Sequence, residues 1–255
     1  MEQDTRIPTN LRTLLVLEIL GKSDRAMTAS QINEGLCLPK QTVHRLCATL
    51  EREGFLQRQG NSKRYQVARR SRELGVGLLS NSRHNIARRQ ILTDVSRQVR
   101  ETVNFVVPEA DGMRYLDRVE TDWPFQIQLP IGTHVPYHCT ASGKCFLASL
   151  TPTARRSLVS SLRLERLTPA SRTEPEELMA DLTRIARRGY SLDEEEFIEG
   201  MVAIAVPVFD NAGRFVAALA FHGPTQRLTI DGIVAQEDVL QTAAIKLREA
   251  LFSDD

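Results

Sequence analysis

The sequence predicts an α+β chain in two unlike parts: a small basic unit of three helices and a hairpin, then a larger acidic domain of mixed strands and helices. Three observations carry this. Apolar residues recur at helical spacing over the first fifty positions and give way to two short alternating runs before residue 70. Strand-like and helix-like stretches then alternate irregularly to the end. Charge divides the same way: residues 1–100 hold 18 Lys and Arg against 9 Asp and Glu, a balance of +9, whereas residues 101–255 hold 15 against 23, a balance of −8. The overall +1 hides a front end suited to a polyanion.

At 255 residues and 42% hydrophobic content, the chain has material for two modest domains. No stretch approaches the 18 or so uninterrupted apolar residues of a membrane span. Residues 1–10 are polar, include Asp4 and Arg6, and lack the apolar core of a signal peptide. Cys37, Cys47, Cys139 and Cys145 show no C-x-x-C spacing. A disulfide framework or zinc knuckle is therefore not expected, and a reducing cytoplasm is.

Leu11, Leu14, Leu15, Leu17, Ile19 and Leu20 predict a first helix over 10–21. Thr28 and Gln31 have capping-box spacing and open a second helix of about eight residues, ending near Gly35. After a turn at 36–38, Pro39 suits the first position of a third helix over 39–53. Val43, Leu46, Cys47 and Leu50 form its apolar face, while Lys40, Gln41, Thr42, His44 and Arg45 offer groups that read base edges and phosphates. Gly54 closes that helix. The runs 55–58 and 64–67 flank Gly60-Asn61-Ser62-Lys63, a turn with a basic tip, and so predict a β-hairpin. Together these make a winged helix-turn-helix, with the third helix in the major groove and Lys63 and Arg64 of the wing along the phosphates. Three-helix units also bind proteins; the order of the pieces, the short turn, the polar helix start and the charge favour DNA.

Three segments now bear on identity: LPKQTVHRLCATLEREGF from Leu38 to Phe55, PYHCTASGKCFLA from Pro136 to Ala148, and a run from Arg188-Gly189-Tyr190 through Asp193 to Glu196, Gly200, Ala205 to Asp210, and Gly223-Pro224. In this order, across nearly the whole chain, they resemble the IclR family of transcriptional regulators. The resemblance implies a GAF-like effector-binding domain reached through a linker helix, and dimers or tetramers bound to palindromic operators in double-stranded DNA.

The residues beyond 70 fit that organisation. The stretch 71–100 is helical in pattern and carries Arg72, Arg83, Arg88, Arg89, Arg97 and Arg100, with an expected break at 80–82. A linker helix over 69–80 and a first sensor helix over 85–101 follow, so the expected division is 1–70, 71–84 and 85–255. Strands are expected at 102–107, 113–120, 125–129, 202–209 and 214–221, and helices at 140–150, 151–161, 175–188 and 230–252. Such a sheet, with helices on one or both faces, commonly leaves a ligand cavity.

By resemblance the effector lies near Thr140, Ala141, Ser142 and Gly143, near Asp193, and near Ala203, Ala220 and His222 of the late strands. Ala203 stands where many relatives have Cys, Ala220 and His222 where Ser occurs, and Ala141 where small keto-acid sensors carry Gly. These departures remove polar groups and add methyls. The expected effector is thus a larger, partly apolar organic acid, aromatic acids included, its carboxylate held by His222 or by the amides before Ser142.

Other chemistry would draw on the same residues. His134, His138 and Cys139, with Asp117 or Glu120, would make a metal site only if Pro136 did not interrupt the helical spacing the two histidines need. Cys139 or Cys145 with His138, or Ser142 with Lys144, lack a nucleophile–base–orienter arrangement, and Gly143-Lys144 lacks the first glycine of a P-loop. Lys144 is expected to point away from the cavity, and the run Glu194-Glu195-Glu196 to be mostly solvated. The expectation is a cytoplasmic, nucleoid-associated DNA-binding regulator without catalytic residues, cofactor, metal or membrane contact. The alternative is a sensor-type enzyme or metal-binding module whose helix-turn-helix contacts protein.

Overall fold

The computed structural model describes residues 7–23, 25–81 and 84–252, with backbone alone for 79–81, 84 and 85. Residues 1–6 of the polar start, Ser82 of the expected break, and Arg83 lie outside the described residues. The chain separates into two compact units, Met1–Leu79 and Ser80–Asp255.

The first unit comprises α1 (Arg12–Gly21), β1 (Met27–Thr28), α2 (Ala29–Glu34), α3 (Lys40–Arg52), β2 (Leu56–Arg58), β3 (Arg64–Val67) and the start of α4 (Arg69–Asn81). Val16, Leu20, Ile32, Val43, Cys47, Leu50, Leu56 and Tyr65 form its core. At six residues α2 is too short to stand alone, and its capping box is complete. Thr28 Oγ1 accepts the Gln31 amide at 3.3 Å and Gln31 Oε1 accepts the Thr28 amide at 3.0 Å. The Asn33 side chain then clasps both backbone groups of Leu38, at 2.9 and 2.7 Å, which fixes the turn into α3. Pro39 is the extended cap residue rather than the first helical one. α3 ends in a Schellman motif: Phe55 N donates to Leu50 O at 2.8 Å, Gly54 N donates to Glu51 O at 3.0 Å, and Gly54 takes φ 76°. The hairpin β2–β3 gains a strand that the sequence did not announce, β1, giving the order β1-β3-β2.

The second unit comprises α5 (His84–Val99), β4 (Thr102–Pro108), β5 (Met113–Val119), β6 (His134–Val135), α6 (Ala141–Ser149), α7 (Pro152–Ser161), α8 (Pro175–Arg188), β7 (Ser191–Glu194), β8 (Met201–Phe209), β9 (Phe215–Pro224), α9 (Ile230–Val234) and α10 (Glu237–Phe252). All strands pair antiparallel in one six-stranded sheet, β6-β5-β4-β9-β8-β7, so the first and last strands of the unit meet at its centre. The period of two divides β8 and β9 cleanly. Ala203, Ala205, Ala218 and Ala220 join the cluster that includes Ala141, Cys145 and Leu147 of α6 and Leu178, Leu182 and Ile185 of α8. Val202, Ile204, Val206 and Val208 are buried on the opposite face, where α10 packs on β8 and α5 on β4.

Two expected elements differ. The segment 125–129 is not a strand, although it alternates like one. The edge of β5 is taken by β6, and the carbonyls of the segment are met by side chains instead of a ladder. Phe125 O accepts from Arg227 Nη1 at 2.8 Å, Ile127 O from Arg118 Nη2 at 2.9 Å, and Leu129 O from Arg118 Nη1 at 2.6 Å. The expected last helix, 230–252, is two helices separated at Ala235 and Gln236. β6 and β7 were not expected.

Candidate functional sites

The start of α3 presents one candidate site. Val43, Cys47 and Leu50 are buried in the core, which turns Lys40, Gln41, His44 and Arg45 outward and leaves Thr42 half-buried. Lys40, Gln41, His44 and Arg45 have no side-chain partner among the described residues. Two cations and two amide or imidazole groups stand at a helix N-terminus, the end whose dipole attracts phosphate. In the wing, Lys63 is exposed at the turn, but Arg64 is held: its Nη1 donates to Ala26 O at 3.1 Å and to Gln31 Oε1 at 3.3 Å. Arg64 thereby ties the wing to the cap of α2.

The second candidate site is the sheet face beneath the start of α6. Register places Asp193, Ala203, His222 and Thr102 side by side on adjacent strands, with Ser191, Ala205, Ala220, Asn104 and Arg118 in the next row of the same face. The alanines make a low floor between polar walls. Thr140 and Gly143 build the helix start above it. Thr140 Oγ1 caps the Gly143 amide at 3.0 Å and donates to Pro136 O at 2.8 Å. Gly143 lies so close to Tyr137 that a Cβ would meet its carbonyl oxygen at 2.4 Å, so only glycine fits. Ser191 Oγ donates to Ala141 O at 2.5 Å and anchors the helix to β7. The amides of Ala141 and Ser142 have no acceptor among the described residues.

Electrostatics at this face corrects one expectation, that His222 holds a carboxylate by charge. His222 is buried and its pKa is lowered to about 4, by burial first and then by Arg118, so at neutral pH it carries no charge with which to hold a carboxylate. Its Nδ1 accepts from Asn104 Nδ2 at 3.0 Å, which leaves the proton on Nε2, 3.4 Å from Ile127 O. Asp193 is pushed up to about 7 by burial, partly offset by Lys144. Its Oδ1 accepts the amides of Glu196 and Phe197 at 2.8 and 3.3 Å, while its Oδ2 has no partner.

The acidic run was expected to be mostly solvated, and Glu196 departs from that. Glu194 is exposed, but Glu196 is fully buried beside Lys144, which is itself 1% exposed. Lys144 Nζ bonds Glu196 Oε1 and, at 3.2 Å, Asp181 Oδ2; Arg172 Nη1 reaches Glu196 at 2.5 Å, and Arg184 reaches Asp181 at 3.2 Å. Burial works to raise the pKa of Asp181, but Lys144 and Arg172 beside it outweigh this and hold it below the usual carboxylate range. Two acids and three cations thus lock α6, α8 and the segment after β7 together on the side of the sheet that α6 covers. Sequence spacing pointed Lys144 away from the cavity but not at this cluster.

The residues weighed for metal or catalysis are dispersed. His134 pairs with Asp111 at 3.0 Å, whereas His138 Nε2 bonds Glu165 O at 2.8 Å. Asp117 is held by Arg88 and Arg89 at 3.1 and 2.8 Å, and Glu120 faces Arg118 at 3.3 Å. Among the described residues no three His, Cys, Asp or Glu side chains gather as a metal site. Burial raises the thiol of Cys139 and pushes that of Cys145 up to about 12, the reverse of what a nucleophile needs. No motif in the sequence marks Asn104 or Arg118, which strand pairing alone brings to the sheet face beneath α6.

Residues 79–249 match the model of the bacterial transcriptional regulator IclR C-terminal domain, and residues 11–60 match that of the IclR helix-turn-helix domain. The chain is 38% identical to a probable transcriptional regulator SauR of Cupriavidus necator, over 92% of this chain and 93% of that one. It is similar in structure to the IclR of Thermotoga maritima, with a TM-score of 0.64 and 27% identity over 96% of this chain and 99% of that one. It also resembles an IclR homologue from Microbacterium hydrocarbonoxydans solved with 4-hydroxybenzoate, with a TM-score of 0.58 and 27% identity over 95% and 98%.

Proposed function

The chain belongs to the IclR family of bacterial transcriptional regulators, and from that membership we propose that a small organic acid seated beneath the N-terminus of α6 controls how its helix-turn-helix holds a paired operator. Lys40, Gln41, Thr42, His44 and Arg45 enter the major groove, and Lys63 follows the phosphates, with Arg64 holding the wing in place. The observation that carries the DNA half is the outward, unpartnered polar face at the start of α3. In the sensor half, Ala203, Ala220 and Ala141 line the floor and roof, Asp193 and His222 the walls, and the amides of Ala141 and Ser142 take the acid's carboxylate, framed by Thr140 and Gly143.

The chain divides as 1–70 for DNA, 71–84 for the linker and 85–255 for the effector, and works in the cytoplasm, on the nucleoid, as a dimer or tetramer on palindromic DNA. No helix among the described residues is long and apolar enough to cross a membrane. An aromatic acid is among the candidate effectors, a reading supported by the 4-hydroxybenzoate bound to the Microbacterium relative. Its relatives are named as regulators, and we assign the chain no catalysis: its buried thiols and its engaged His138 support that reading.

A salt-titrated gel shift on DNA from upstream of the chain's own gene, with nonspecific competitor, tests the DNA half. Competitor-resistant binding that falls steeply with salt is expected. Binding abolished by competitor on every fragment of a genome-wide selection, with and without metabolite extract, would sink the proposal.

A further inference from the structure

Residues 35–39 join α2 to α3, and one side chain organises them. The Asn33 carbonyl accepts the amides of Leu36 and Cys37, at 3.1 and 2.9 Å. Its side chain takes both peptides that flank Leu38. Oδ1 accepts the Leu38 amide at 2.9 Å, on the peptide after Cys37, and Nδ2 donates at 2.7 Å to Leu38 O, on the peptide before Pro39. Leu38 has no other backbone partner among the described residues. From this clasp to the helix the path is nearly rigid. The ring locks φ of Pro39, here at −56°, and Pro39 O accepts the amides of Thr42 and Val43 at 2.8 and 3.3 Å. The direction of Lys40, Gln41 and the residues after them is therefore set from Asn33. The clasp also holds strain. Cys37 sits at φ 51°, in the left-handed region that favours glycine, and its exposed thiol makes only a weak 3.9 Å contact with Glu34 O.

We infer that Asn33 is a positioning residue for operator recognition: it touches no DNA, and its amide aims the polar start of α3 by holding the peptide before Pro39. This rests on the reading above that α3 enters the major groove. Released from the clasp, the Cys37 backbone relaxes toward commoner angles and turns the two peptides after it. Contacts to base edges are directional and do not survive such a shift in aim. Attraction to phosphates, which is blind to sequence, largely does. Loss of the clasp therefore costs specificity before it costs affinity for DNA in general. Only a side chain with a donor and an acceptor at this reach makes both bonds; alanine offers neither.

Fluorescence anisotropy of the full chain on two labelled duplexes tests this. One comes from upstream of the chain's own gene, or from the genome-wide selection if that one is not bound; the other has the same composition in scrambled order. All variants are measured at a temperature at which circular dichroism shows them folded. Asn33→Ala is expected to weaken binding to the first duplex about tenfold, the order of what two net hydrogen bonds contribute. Binding to the scrambled duplex should stay within about twofold, with its salt slope kept, because the phosphate contacts remain. Adding Cys37→Gly to Asn33→Ala should restore part of the loss, since glycine holds φ 51° without a tether. If Asn33→Ala alone does not fold, the double variant is compared with Cys37→Gly, and a loss confined to the first duplex is again expected. Equal weakening on both duplexes, no weakening on either, or a loss that Cys37→Gly leaves untouched would overturn this inference while DNA binding stands. Wild-type protein that prefers no selected duplex to scrambled DNA would overturn both.

Discussion

Burial acts on Asp193 and His222 in opposite senses, and the consequence is measurable. Asp193 is raised to about 7 in the folded chain from an ordinary 3.8, so its contribution to stability is complete below 3.8 and is lost as pH rises through 7. His222 is lowered to about 4 from 6.5, so its contribution is complete above 6.5 and is lost as pH falls through 4. Between pH 6 and 8 Asp193 removes on the order of 1 kcal/mol while His222 restores a smaller part of that, by the linkage relation. Wild-type stability should then fall over that window, by less than Asp193 alone would cause. In Asp193→Asn the capping oxygen remains and the titration is gone, so the difference from wild type should grow by on the order of 1 kcal/mol from pH 6 to 8. Urea denaturation at three pH values reads this directly. A difference that stays constant would mean that Asp193 is ionised throughout.

At the scale of elements, the wing separates two arginine-or-lysine roles that look alike in sequence. Lys63 is exposed and unpartnered among the described residues, whereas Arg64 is tied to Ala26 and Gln31. Lys63→Ala should weaken binding to all DNA sequences and reduce the salt slope by about 0.9, the value of one lost phosphate contact. Arg64→Ala should instead lower the melting temperature of the N-terminal unit and change the slope less. Equal flattening by the two substitutions would refute the tether. Elements governed by neighbours in sequence were legible: the Thr28–Gln31 capping box, the Gly54 stop and the hairpin strands are all short-range devices. Those governed by distant partners were not. The segment 125–129 alternates like a strand, but guanidinium groups from Arg118 and, 102 residues away, Arg227 take its carbonyls. The candidate effector site divides likewise. Thr140 and Asp193 sit in recognisable segments, while Asn104 reaches His222 only because β4 pairs with β9 across 118 residues.

At the scale of the whole molecule, a DNA-binding unit and an effector-binding unit belong to one chain, and in the proposed function the first meets a polyanion and the second a small acid. The repelling charges of operator and acid need not share a surface, so coupling between them has to pass through a change in arrangement. Such coupling is reciprocal. If the effector changes operator affinity by some factor, the operator must change effector affinity by the same factor, typically about 5- to 150-fold. The two halves are separately measurable: fluorescence anisotropy of labelled operator with and without saturating acid, and calorimetry of the acid with and without saturating operator duplex. Equal factors are expected, and an effector with equal affinity for both arrangements would shift neither, however tightly it bound. Unequal factors at fixed salt and fixed protein concentration would show that the acid acts on something else, such as the assembly of protomers, and would separate the pocket beneath α6 from the control of DNA.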